Sequence, residues 1–176
     1  RAPVVALLLV AGCATSMIDQ GQLRAGALQR MLARAAATRG LPPPEKLDSQ
    51  VVERAALPPL LRQLFYDEWT DNQVRTAEEM MTAMGLWPEG MDSLEQTIAV
   101  QGEQIAGLYS PARRTLYIVE GLDVPAVIGT SPARVRRNLY VEFVLSHEII
   151  HALQHRAFPA LFAATSQWKD HDDVVY

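Results

Sequence analysis

The chain has 176 residues, a formal net charge of −4 at pH 7 and an isoelectric point of about 5.6. Hydrophobic residues make up 49% and charged residues 20%, which is a globular composition and excludes a disordered chain. No basic run or stripe offsets the negative net charge, which excludes a nucleic-acid partner. The one Cys excludes a disulfide framework and a thiolate zinc site, so a metal site must use His and carboxylates.

The N-terminal segment is predicted to be a targeting signal. Arg1 precedes an apolar run from Val4 to Val10, and small residues follow before Cys13, which is the pattern of a secretory signal. The apolar run is too short to span a bilayer as a helix. The letters "VAGC" are similar to the lipobox of bacterial lipoproteins, where cleavage exposes a Cys that receives lipid. The alternative is an ordinary signal with a chance Cys. We expect residues 1–12 to be the signal peptide and Cys13 to anchor the exported chain to an envelope membrane.

The first predicted elements are helical. Apolar residues at four-residue spacing predict a helix over residues 19–38, which Gly40 ends. A Pro-rich linker then completes an N-terminal unit of residues 13–44. A short helix is predicted over residues 48–56, ended by Pro58 and the proline that follows it.

Two more helical segments complete the predicted N-terminal half. A stretch over residues 60–85 is broken or recapped at Thr70 and Asp71. Its second part carries a Met-containing apolar stripe, which we interpret as facing the core rather than forming a binding groove. Asp92 is the predicted cap of a further helix that runs to about Gly102.

A β-hairpin and a long helix follow. The runs "QIAGLY" and "TLYIVEG" flank "SPARR", which predicts a hairpin that turns at Ser110 and Pro111. Ser131 and Pro132 are a typical cap and first residue for a helix that stops before Pro159. The sequence therefore predicts an α+β fold for residues 45–176.

The long helix carries the motif "HEIIH". Residues four apart share a helix face at a separation of about 6 Å, so His147 and His151 can each direct a ring nitrogen to one Zn²⁺. Glu148 projects beside the metal, where it can take a proton from water and pass it to a leaving amine. A lone His on an apolar helix is usually a core residue, but a pair at ligand spacing with this Glu predicts a zinc peptidase.

A third His needs separate treatment. His155 shares the face of the pair but lies about one turn beyond it, too far to bind the same ion without a bend. We interpret it as a residue at the rim of the site, a contact of the ligands, or a surface residue. The extended motif HExxHxxGxxH needs Gly at position 154 and His at 157, and Gln154 and Ala157 exclude that metzincin pattern.

Residues 57–176 resemble a bacterial family of zincin-like metallopeptidases with the motif HE-hydrophobic-x-HALQ. The matching stretches are "MGLWP", "IAGLYSPARRTLYIV" and "HEIIHALQ". The family usually continues with Asp-Gln, whereas this chain has His155 and Arg156, a departure beside the ligands rather than in them. The resemblance implies a zincin-like α+β fold, zinc-dependent peptide hydrolysis and a gluzincin third ligand, a Glu in an "EG-small" segment on the next helix.

The third ligand is expected outside the printed sequence. No "EG-small" segment follows the motif, so we expect a Glu beyond Tyr176, and we expect the printed chain alone to bind zinc weakly and hydrolyse nothing. The alternative source is a polar cluster about twenty residues after His151, namely Asp170, His171, Asp172 and Asp173. Asp at that place is also typical of helix capping.

The hairpin is expected to line the substrate cleft. In zincins an edge strand pairs with the substrate backbone, and residues 105–109 or 115–119 would provide it. Tyr109 and Tyr117 are interpreted as strand-filling aromatics rather than as donors to an oxyanion.

Two other functions fit the same motif. The main alternative is a non-catalytic surface lipoprotein that keeps the zincin fold as a binding module, although an intact Glu148 favours the enzyme. The other is a structural zinc site with four protein ligands and no open position for water.

Mass spectrometry of the protein from its native membrane tests the predicted anchor. We expect a mature chain that begins at a lipid-modified Cys13, because the apolar run ends directly before it. An unmodified thiol at Cys13, or a mature N-terminus elsewhere, contradicts the prediction.

Overall fold

A computed structural model of the protein describes residues 17–120 and 133–162. The predicted signal peptide, Cys13, the Ser131–Pro132 cap and the cluster at residues 170–173 lie outside these residues. Within the described ranges, no helix has both the length and the apolar composition needed to cross a bilayer.

The described residues form a mixed α and β structure. The helices are α1 (Ala25–Arg39), α2 (Leu57–Tyr66), α3 (Asp71–Ala83), α4 (Ser93–Gln104) and α5 (Ala133–Ala157). The strands are β1 (Ile18–Asp19), β2 (Gln22–Leu23), β3 (Asp48–Glu53), β4 (Gly107–Ser110) and β5 (Thr115–Glu120).

The strand β5 is the centre of a three-stranded sheet with the order β3-β5-β4. It pairs in parallel with β3 and antiparallel with β4. Because both of its edges are bonded and both of its faces are covered, its sequence is a continuous apolar run rather than an alternating one.

Helices cover both faces of this sheet. On one face, Leu116 and Ile118 of β5 pack into a core cluster with α1 and α5. On the other face, Val119 packs with buried leucines and Ile98 of α2 and α4. The sheet therefore lies between two helical layers, and α5 belongs to the first of them.

A glycine sets the distance between α5 and the edge strand β4. A Cβ atom at Gly107 would lie 2.6 Å from the Val144 Cγ1 atom and 3.0 Å from the Tyr117 carbonyl oxygen. It would also lie 3.8 Å from the Glu148 Cγ atom. Only a residue without a side chain lets the helix that carries the "HEIIH" motif approach the strand this closely.

Several predicted elements are confirmed. The predicted hairpin forms β4 and β5. The predicted break at Thr70 and Asp71 is the start of α3, where Thr70 and Gln73 form a capping box. Asp92 caps α4 as predicted. Helix α5 ends at Ala157, before Pro159. Gly40 ends α1 in the left-handed conformation, although α1 begins at Ala25 because the preceding residues form the short β1–β2 hairpin.

The helix predicted over residues 48–56 is wrong. Residues Asp48–Glu53 form β3, which pairs along its whole length with β5, and a single 3-10 turn follows it. Tertiary pairing outweighs the local pattern here, and adjacent Val51 and Val52 suit an extended strand. Pro58 and Pro59 stand in the first turn of α2, so they start a helix rather than end one.

The core-facing stripe predicted on the second helical part is covered only in part. Its residues Val74, Ala77 and Met81 are half-buried, Met84 is exposed, and no residue of α3 is fully buried. The apolar periodicity identifies one face of the helix, but no element in the described residues covers that face completely.

Gly107→Ala should destabilise the protein, whereas Gly102→Ala should not. The added methyl at position 107 overlaps Val144 and backbone, a kind of overpacking that costs about 1–3 kcal/mol. Gly102 lies inside α4 with its nearest neighbouring atom at 3.8 Å, and alanine is favoured in a helix interior by up to about 1 kcal/mol. Urea unfolding of both variants measures the difference. Equal stability of the two variants contradicts the close packing described here.

Candidate metal centre

The two motif histidines contact each other through their Nε2 atoms. Helix α5 places them four residues apart, and the His147 and His151 Nε2 atoms lie 3.1 Å from each other. His147 is exposed and His151 is half-buried, so solvent reaches both rings. Two nitrogen ligands of a tetrahedral Zn²⁺ are separated by roughly 3.3 Å, given bonds of about 2.0–2.1 Å. The donor set and its spacing therefore fit two ligands of one zinc ion.

Glu148 is fixed between the helix and the edge strand. Its side chain is half-buried, and its carboxylate accepts a hydrogen bond from the backbone N–H of Tyr109. Burial raises the pKa of this carboxyl above its usual value, while His151, His147 and the Tyr109 N–H act in the opposite direction. The carboxylate is thus held in one position beside the two imidazoles.

The strand β4 offers an open backbone edge at the site. Val119 donates its N–H to the Ala106 carbonyl, and the antiparallel register then directs the N–H groups of Gly107 and Tyr109 away from β5. The Tyr109 N–H reaches Glu148 on that side. The alternative expectation that residues 115–119 form the edge is wrong, because β5 is bonded by strands on both sides.

His155 is connected to the same strand. Its Nδ1 atom lies 2.9 Å from the Tyr109 hydroxyl oxygen, within hydrogen-bond distance. The half-buried ring has a pKa lowered by burial and by the nearby Arg114, which favours neutral imidazole. His155 therefore contacts Tyr109 rather than the two motif histidines, and it is not a simple surface residue. Through this contact it holds Tyr109, whose backbone N–H positions Glu148.

The two tyrosines of the hairpin have different surroundings. Tyr117 is buried on β5 and is a hydrogen-bond partner of Arg113. Tyr109 is half-buried, and burial raises the pKa of its hydroxyl. Both hydroxyls thus have partners other than the Glu148 carboxylate.

The described residues could supply two of the three ligands that a catalytic zinc needs. Across residues 17–120 and 133–162, no third His, Cys, Asp or Glu completes a metal-binding group with His147 and His151. The alternative ligand source at residues 170–173 lies outside those ranges, as does any segment beyond Tyr176.

The sequence pattern did not reveal two parts of the site. Gly107 sets the distance between strand and helix, and the Tyr109 N–H fixes Glu148. A glycine within an apolar strand run is a recognised signal of close backbone approach, so Gly107 was open to prediction. The Tyr109 contact depends on which edge of the hairpin is free, and that is a tertiary property.

Comparison of the chain with protein-family models, with curated proteins and with solved structures found no match.

Proposed function

We propose that the protein is a zinc-dependent metallopeptidase of the zincin-like type, which hydrolyses peptide bonds. The observation that carries the proposal is the convergence of His147 and His151 at 3.1 Å with Glu148 fixed beside them. The motif spacing alone requires only that the residues share a helix face. The 3.1 Å separation of the two Nε2 atoms is a further observation that supports the proposal.

In the proposed hydrolysis, the metal supplies electrostatic activation and the protein supplies the proton transfers. His147 and His151 would hold the Zn²⁺, which when bound would polarise the scissile carbonyl and lower the pKa of water. Glu148 accepts a proton from the attacking water as its oxygen bonds to the carbonyl carbon. The same proton passes to the amine nitrogen as the C–N bond breaks. Burial of Glu148 supports this role, since it makes the carboxylate a stronger base than a solvated one.

The open edge of β4 is the proposed binding site for the substrate backbone. An extended peptide would pair with the backbone of Gly107 by β-augmentation, since the Tyr109 N–H of the same edge is already bonded to Glu148. Because Tyr109 of the same strand contacts Glu148, a peptide on this edge would pass directly beside the proposed base.

The proposal requires one more ligand. A catalytic zinc uses three protein ligands and keeps one position open for water. The family resemblance implies that this ligand would be a Glu on the helix after the motif helix, and the polar cluster at residues 170–173 is the alternative. The lipid anchor at Cys13 is the other part of the proposal, and it would place the site outside the cytoplasm at a membrane surface.

Substitutions on α5 of the full-length protein test the assigned roles. Glu148→Gln should keep zinc but lose hydrolysis by about 10²–10⁴-fold, because an amide has nearly the same shape but is not a base. His147→Ala should lose the zinc itself. Glu142→Gln is the matched control, since Glu142 lies on the same helix in an exposed ion pair with Arg34 and should change neither property.

The readouts are zinc content by competition with a chelator and cleavage of a peptide library. Equal zinc loss in Glu148→Gln and His147→Ala would make Glu148 a ligand and contradict its role as the base. A zinc-loaded wild-type protein that binds peptides but cleaves none would favour the non-catalytic binding module.

A further inference from the structure

A cavity lies one helical turn beyond the histidine pair. It has a volume of about 470 Å³ and is bordered by Tyr109, Ala152 and His155. His155 lies four residues after His151 on the same face of α5, so the cavity and the histidine pair are neighbours along the helix. Tyr109 also belongs to both, through its backbone at Glu148 and its hydroxyl at His155.

The charges around this cavity are not balanced. Its lining includes two carboxylates, Glu45 and Asp48, and four cations, Lys46, Arg113, Arg114 and Arg156. Lys46 pairs with Asp48 at 3.1 Å, and Arg113 pairs with Asp67 at 2.6 Å. Among the described residues, the exposed Arg114 and Arg156 form no ion pair and neither does Glu45, so this part of the lining has one positive charge in excess. This local excess of positive charge occurs in a chain whose net charge is −4.

Arg114 occupies an unusual backbone position. Its φ angle is 51°, in the left-handed region that glycine or asparagine adopts at lower cost. The tight turn between β4 and β5 holds it there, with its N–H bonded to the Pro111 carbonyl. Burial raises the pKa of Tyr109 and lowers that of His155, and in both cases the Arg114 charge acts in the lowering direction, which is consistent with its place beside these two cavity residues.

We propose that this cavity binds a carboxylate group of the substrate, with Arg114 and Arg156 as its partners. Guanidinium groups match a carboxylate through charge-assisted hydrogen bonds, which are about twice as strong as neutral ones. The proposal rests on the proposed function for its relation to the scissile bond. One helical turn corresponds to about two residues of extended peptide, so the carboxylate lies close to the cleaved bond.

Two sources of a carboxylate are possible, and one peptide set separates them. The probes are fluorescent pentapeptides of alanine in which Glu or Gln occupies each position in turn, made with a free or an amidated C-terminus. A preference that follows an internal Glu indicates an acidic side chain. A preference that follows the free C-terminus indicates a terminal carboxylate.

Binding is measured by fluorescence anisotropy with the full-length Glu148→Gln protein, which separates binding from cleavage. We expect one carboxylate position to strengthen binding about tenfold over its neutral counterpart. The preference should fall to within about twofold in Arg114→Gln/Arg156→Gln, and it should also fall in 1 M salt. The matched control is Arg39→Gln/Arg75→Gln, which removes two exposed charges elsewhere and should keep the preference.

The outcomes distinguish this inference from the proposed function. Carboxylate-dependent binding that requires both arginines supports the inference even if the wild-type protein cleaves no peptide. Cleavage by the wild-type protein without a carboxylate preference overturns the inference and leaves the peptidase proposal standing. A preference that persists in Arg114→Gln/Arg156→Gln, or no binding of any peptide at millimolar concentration, also overturns it.

Discussion

The close approach of α5 to the open edge of β4 is the contact on which the candidate site depends. Gly107 permits it, because any side chain there would overlap Val144. At that distance the Glu148 carboxylate reaches the Tyr109 N–H, and the Tyr109 hydroxyl reaches His155. The helix supplies the imidazoles, the strand fixes the carboxylate, and neither element forms the site alone.

The parts of the fold that follow from local signals were predictable. The hairpin has two β-rich runs and a Ser-Pro turn, and α5 has a long amphipathic pattern that ends before Pro159. The strand β3 was not predictable in the same way, because its six residues become a strand by pairing with β5, some sixty residues further along the chain. The α3 stripe shows the same limit: periodicity identifies an apolar face but not what covers it.

The candidate site also has features that the sequence predicts and features that depend on tertiary structure. The spacing of His147 and His151 on a helix was enough to predict that they share a face, and the structure adds that their Nε2 atoms converge. The partner of Glu148 and the excess positive charge at Arg114 and Arg156 depend on which elements meet in three dimensions. In the sequence, the segment "SPARR" predicts only the turn of the hairpin. In the structure, its Arg113 and Arg114 line the cavity beside the site.

The central claim is that His147 and His151 are two ligands of a zinc ion that keeps an open position. Zinc K-edge X-ray absorption of the full-length protein with one equivalent of zinc tests it most directly. The account predicts three protein ligands at about 2.0 Å, two of them imidazoles, together with one exchangeable water. The imidazole signal should disappear in His147→Ala/His151→Ala. Four protein ligands with no exchangeable position, or a spectrum that this double substitution leaves unchanged, would contradict the account.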